Sequence, residues 1–187
     1  RGADSDTETF VAIRADIDNW RWAGVPFFMR TGKRLPEKRT EIVIQFKPVP
    51  HSIFGHDDRG EVQANRMVIE LQPEEDISLT VMNKRPGLSQ RMQLQPIKMS
   101  LSWGVDGKGD APPRRRIAYE RLLLDLVEGD QTLFVRRDEV EAQWTWVDAI
   151  RKVWADTAME VKPYAAGSWG PNAGIALTER DGRSWHD

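Results

Sequence analysis

The sequence predicts an α+β domain, a large and mostly antiparallel (mixed) sheet with helices packed on one face. Two observations carry this. Apolar residues recur with a period of two through the first two-thirds of the chain, and beyond Pro113 the period lengthens to that of helices. The apolar runs are also joined by short, turn-rich connections, which suit antiparallel neighbours better than helical crossovers.

The elements follow in order. Val11, Ile13, Ala15 and Ile17 alternate with Ala12, Arg14 and Asp16, and Pro26 to Arg30 is a short apolar run ending at Thr31-Gly32. The period of two returns in Ile42, Ile44 and Phe46, then in Met67, Ile69 and Leu71, in Ile77, Leu79 and Val81, and in Met99, Leu101 and Trp103. Turn chemistry separates these runs at Pro48-Val49-Pro50, Asp57-Asp58-Arg59-Gly60, Arg85-Pro86-Gly87 and from Gly104 to Pro113. A first helix carries Tyr119, Leu122, Leu123, Leu126 and Val127 on one face and stops at Gly129. A second starts at Asp138 as its cap, with Glu141 at capping-box spacing. Its expected buried stripe is Val140, Trp144, Val147, Ile150 and Trp154. From Lys162 the Pro- and Gly-rich tail reads as irregular, packed through Trp169 and Trp185.

At 187 residues the chain suffices for a single domain over 1–187, and chains of this size bury roughly 70% of their unfolded surface. With 40% hydrophobic and 30% charged residues the composition is that of a soluble protein. A formal charge of −2 argues against a nucleic-acid or membrane-surface binder. The absence of cysteine removes disulfides and thiolate metal sites and fits a reducing compartment. No apolar run reaches the ~18 residues of a membrane span, and no signal peptide precedes the domain. A polar start at Arg1, without Met, suggests a piece of a longer protein.

Candidate chemistry is sparse. Thr31-Gly32-Lys33 fails the Walker pattern, because Phe27 stands where its first glycine belongs and Arg34 follows the lysine. No G-x-G-x-x-G occurs, so the chain carries no dinucleotide fingerprint. Five of the ten residues from Arg30 to Arg39 are Lys or Arg, in a connection between two strands. Such a loop reads either as a solvated basic turn or as a site for phosphate and sugar oxygens. Arg114-Arg115-Arg116 reads as a wet basic face. His51 and His56, near Asp57 and Asp58, match no common zinc spacing, so no metal site is expected. No catalytic Ser/His/Asp set can be assembled.

Longer segments go further. Thr7 to Arg14, Asn19 to Phe27 and Arg30 to Leu35 closely resemble consecutive segments of glucose-6-phosphate dehydrogenase. So do Leu71-Gln72-Pro73, Tyr119 to Leu122, Phe134 to Val140 and Gly167 to Pro171, while Arg180 to Trp185 resembles the ending of bacterial members. The resemblance runs from Ser5 to Trp185. It implies the family's C-terminal β+α domain, truncated at its N-terminal side, with part of the sugar-phosphate pocket and the subunit interface.

The family oxidises glucose 6-phosphate to its lactone and passes hydride to NADP. Its dinucleotide-binding half and its histidine base with an aspartate partner lie upstream, so the resemblance implies no catalytic residue here and a chain inactive alone. Lys33 and Lys38 match the family's substrate lysines, Gln72 is a candidate for the same pocket, and the loop thereby reads as a site. Some members hold a second, structural NADP in this domain. Its positions appear here as Val43, Glu70, Thr80, Ile117 and Trp169, leaving only Arg30 and Arg39, so none is expected. A cytoplasmic homodimer, or a dimer of dimers, through the sheet completes the expectation. Apolar residues on both sides of the strands (Phe10 and Ala12 against Val11 and Ile13, Val43 against Ile42 and Ile44) fit that pairing.

Overall fold

Alternating side chains become six strands. The computed structural model describes residues 5, 7–50, 63–73, 75–87, 94–102 and 118–186. β1 (Phe10–Asp16) and β2 (Pro26–Gly32) form an antiparallel pair with Phe10 opposite Gly32 and Asp16 opposite Pro26. Their connection is closed locally. Trp22 N–H donates to Asn19 Oδ1 at 2.9 Å, and Val25 N–H donates to the Trp22 carbonyl at 3.0 Å.

β3 (Thr40–Gln45), β4 (Arg66–Gln72), β5 (Asp76–Lys84) and β6 (Leu94–Ser102) form a second sheet in that order, antiparallel throughout. The antiparallel α+β class is therefore as the sequence indicates, with the strands divided between two hydrogen-bonded sheets. β6 begins five residues before Met99, the first position its alternation marks. Its early part contains Pro96, opposite Met82. A strand at the edge of the described sheet tolerates a residue without an N–H, but the same proline hides the strand from a pattern search. Trp103 lies outside the described residues.

Register decides which side chains share a face. Ile42, Ile69, Ile77 and Leu101 stand opposite one another in one row, and Ile44, Met67, Leu79 and Met99 in another. The intervening rows hold Val43, Val68, Ser78 and Ser100, and Glu41, Glu70, Asp76 and Ser102. One side of this sheet is thus apolar. The other is more polar, with Val43, Val68, Met82, Pro96 and Leu94 as its apolar share.

α1 (Ala118–Glu128) ends just before Gly129, as expected. α2 (Arg137–Asp156) starts a residue before Asp138, the expected cap. Arg136 is the cap residue, and its N–H donates to the Glu139 carboxylate at 3.0 Å. Asp138 instead accepts from the Arg136 guanidinium at 2.7 Å. An arginine side chain has no acceptor for the helix N–H groups, so only the returning half of the capping box forms.

The stripe expected to be buried on α2 is not. No residue of that helix is buried, and Trp144 is 58% exposed. Leu126 and Val127 of α1 are exposed as well. An amphipathic helix is stabilised mainly by the surface its apolar face meets.

The tail is not wholly irregular. It contains α3 (Asn172–Glu179), which packs on β1. Gly174 lowers helix propensity, yet a Cβ there would stand 2.9 Å from the Phe10 ring, so the close approach demands it. The chain divides into two compact units, Arg1–Thr9 with Ala111–Pro163 and Phe10–Asp110 with Tyr164–Asp187. The first holds α1 and α2, and the second holds the six strands and α3.

Candidate functional site

The basic loop begins where β2 stops. Arg30 is still in β2, Lys33 and Arg34 follow Gly32, and Lys38 and Arg39 lead into β3. The cations divide into two groups by their partners.

Arg30 and Arg39 are engaged, while the Arg34 side chain is exposed and has no partner among the described residues. The Arg30 guanidinium carbon lies 4.5 Å from the Trp169 ring centroid and 4.8 Å from that of Trp185. Arg30 also donates to the His186 carbonyl at 3.0 Å. Arg39 stacks on Trp169 at 5.4 Å, donates to the same carbonyl at 3.3 Å, and lies 3.5 Å from Glu41. His186 Nδ1 reaches the Glu41 carboxylate at 3.0 Å. Cation–π contacts of this kind contribute about 0.5–2 kcal/mol each, rising as water is excluded. The tail is therefore bound to the root of the loop through the two indoles that the sequence marks as its packing points.

The lysines are not engaged. Lys33 and Lys38 are exposed, and neither ammonium has an ion pair or hydrogen bond among the described residues. Gln72 closes β4 opposite Thr40, two residues beyond Lys38. Register thus brings Gln72 beside the exit of the loop, while Lys33 stands at its entrance. Gln72 is exposed too. An arrangement of two ammoniums and a carboxamide offers donors to phosphate and hydroxyl oxygens. It contains no general base. His186 is committed to Glu41, and His51, His56, Asp57, Asp58 and Arg114 to Arg116 lie outside the described residues. Among the described residues no group of three His, Asp or Glu side chains could hold a metal.

The positions tied to a second dinucleotide are distinct. Glu70 sits in register between Glu41 and Asp76, giving three carboxylates across three neighbouring strands. Thr80 stands opposite Arg66 and Lys98, and Val43 opposite Val68. Ile117 is outside the described residues. Away from the loop, a recess of about 340 Å³ between α1 and α2 is lined by Asp125, Asp130, Phe134 and Arg136 among others. Asp125 is buried there, with Arg121 Nε at 2.8 Å from its carboxylate.

Residues 2–186 match the family model described as glucose-6-phosphate dehydrogenase, C-terminal domain. This chain belongs to that family. The whole chain is 57% identical to a glucose-6-phosphate 1-dehydrogenase of Zymomonas mobilis and 52% identical to one of Rhizobium meliloti. It spans 38% and 37% of those proteins' lengths. Among solved structures, glucose-6-phosphate 1-dehydrogenase from Mycobacterium avium matches 98% of the chain with a TM-score of 0.75 and 35% identity, the chain covering 36% of its length. A glucose-6-phosphate dehydrogenase in complex with its substrate glucose-6-phosphate matches 96% with a TM-score of 0.78 and 32% identity, the chain covering 35% of it.

Within the family domain, sequence reasoning missed the roles of Glu41, Tyr164 and His186. Each acts across more than 130 residues of chain. No local spacing announces such a contact, and the only signal was the pair of tryptophans in the tail.

Proposed function

We propose that this chain supplies substrate contacts and the subunit interface of a cytoplasmic glucose-6-phosphate dehydrogenase. That enzyme oxidises the C1 hydroxyl of glucose 6-phosphate to the lactone while NADP accepts the hydride. One observation carries the assignment of contacts. In a loop of five cations, Arg30 and Arg39 are bound internally, whereas Lys33 and Lys38 present unpaired ammoniums, with Gln72 opposite Thr40 in the strand the loop leads into. The substrate complex among the relatives supports glucose 6-phosphate as the ligand.

The chain has no dinucleotide fingerprint and the described residues of the loop offer no base, so hydride transfer belongs to the remainder of such an enzyme, and this chain alone does not reduce NADP. A second, structural NADP does not bind here. Support comes from the carboxylate row at Glu70 and from arginines already occupied by Trp169, Trp185 and His186. The test of the substrate contact is Lys33→Ala in a full-length dehydrogenase carrying this domain. Losing a charge-assisted contact of roughly 1.5–3 kcal/mol weakens substrate binding about ten- to a hundredfold. An unchanged KM for glucose 6-phosphate removes the assignment.

A further inference from the structure

We infer that Tyr164 is a positioning residue that sets the direction of Lys33, an inference resting on the reading of Lys33 as a substrate contact. The Tyr164 hydroxyl donates to the Lys33 carbonyl at 2.6 Å. Three residues on, Gly167 N–H donates to the Arg34 carbonyl at 2.8 Å. Two successive carbonyls at the loop entrance are thereby held by one turn of the tail. That turn is itself closed, since both Ser168 N–H and Ser168 Oγ donate to the Ala165 carbonyl, the latter at 2.7 Å.

The clamp has work to do. Arg34 sits at φ +52°, a left-handed conformation that a side-chain-bearing residue adopts at a cost of about 1 kcal/mol or more. Such a conformation persists only where its surroundings hold it, and here the holders are Tyr164 and Gly167. The phenol ring is fixed in turn by Phe10, edge to face at 5.6 Å. Phe10 is the shared foundation. A Cβ at Gly170 would stand 2.3 Å from its ring, and one at Gly32 2.8 Å, so tail, loop entrance and β1 converge on one side chain.

The consequence concerns Lys33. Its stem has four rotatable carbons, and ordering it on a ligand costs rotamer entropy. A fixed backbone confines the ammonium to a cone before the ligand arrives, so less freedom is lost on binding. Both clamp bonds go to backbone carbonyls, so they constrain where the lysine points without touching its charge. Tyr164 is a positioning residue rather than a catalytic one, because its hydroxyl meets the backbone of Lys33.

The experiment is steady-state kinetics of Tyr164→Phe, Lys33→Ala and the double variant in the full-length dehydrogenase. Phenylalanine keeps the ring on Phe10 and removes only the hydroxyl. The expected result for Tyr164→Phe is a KM for glucose 6-phosphate raised about three- to tenfold, with KM for NADP and kcat within twofold. In the Lys33→Ala background the same change has no further effect on that KM, since the group it positions is gone. A merely structural role would move both Michaelis constants and persist in the double variant. If Lys33→Ala raises KM but Tyr164→Phe does not, or if the two effects multiply, the positioning role is overturned while the substrate reading stands. If Lys33→Ala itself is silent, both are overturned.

Discussion

Lys33 and Lys38 do different work from Arg30 and Arg39 in the loop, and the difference follows from their shapes. A planar guanidinium stacks on indole and donates along fixed directions. Arg30 and Arg39 use both properties against Trp169 and the His186 carbonyl. A compact ammonium on a long stem has no such use for a ring, and Lys33 and Lys38 are left facing water. Hence a Lys33→Ala change should alter binding without unfolding the loop, whose backbone is held elsewhere. A second residue-scale prediction concerns pH. The Thr132 hydroxyl and N–H both donate to Asp130, at 2.6 and 2.9 Å, and hold its carboxyl below the usual carboxylate range. A group whose folded pKa is depressed contributes stability above its unfolded pKa, and that contribution is lost as pH falls through the folded value. The turn after α1 should therefore loosen only in acid. Side-chain NMR titration of Asp130 should show the depressed midpoint, and Thr132→Val should return it towards normal. An identical midpoint in both proteins would refute the cause.

At the scale of elements, the four-stranded sheet separates its functions by face. The row of Glu41, Glu70 and Asp76 brings three carboxylates together, with Glu41 paired to Arg39 and His186 and Asp76 accepting from the Ser100 hydroxyl. A phosphate brought to Glu70 meets like charge, and an uncompensated buried phosphate is costly. Calorimetric titration of the chain with NADP should give no heat above dilution, and micromolar binding would refute this account. The strands themselves were readable because a half-buried strand imposes a period of two. β6 was only half readable, since Pro96 interrupts its pattern while the edge position forgives the missing N–H. α3 escaped notice because its sequence starts after Pro171 and contains Gly174, a residue present for Phe10 rather than for the helix.

For the whole molecule, the apolar rows are the main unspent resource. Leu101 is 70% exposed, Ile42 and Met99 are 50% exposed, and no described hydrophobic residue is fully buried. Apolar patches beyond a few hundred Å² rarely stay open on a soluble monomer, and a two-fold partner is the usual cover. The expectation is a concentration-independent dimer of twice 21.4 kDa, measured by light scattering on a size-exclusion column. Leu101→Asp should shift it to monomer, because a carboxylate opposite an apolar partner face is desolvated without compensation. A stable monomer of the unaltered chain would refute the pairing, and polydisperse material would assign the exposed face to other parts of a longer enzyme.

The class of fold, the six strands, the first two helices and the family were legible in the sequence, since alternation, periodicity and the segments around Thr31-Gly32-Lys33 are local properties. The resemblance to the family is what puts Lys33, Lys38 and Gln72 forward as candidates. Only the tertiary structure decided which cations are free, because Arg30 and Arg39 are occupied by residues about 130 to 156 positions away. It alone showed that Tyr164 holds the Lys33 carbonyl, and that Trp144 in the α2 stripe is exposed among the described residues. The reason is physical. Periodicity reports what a segment would bury, whereas the partner that buries it, or the carbonyl that claims its donor, is a fact about distant chain brought near by folding.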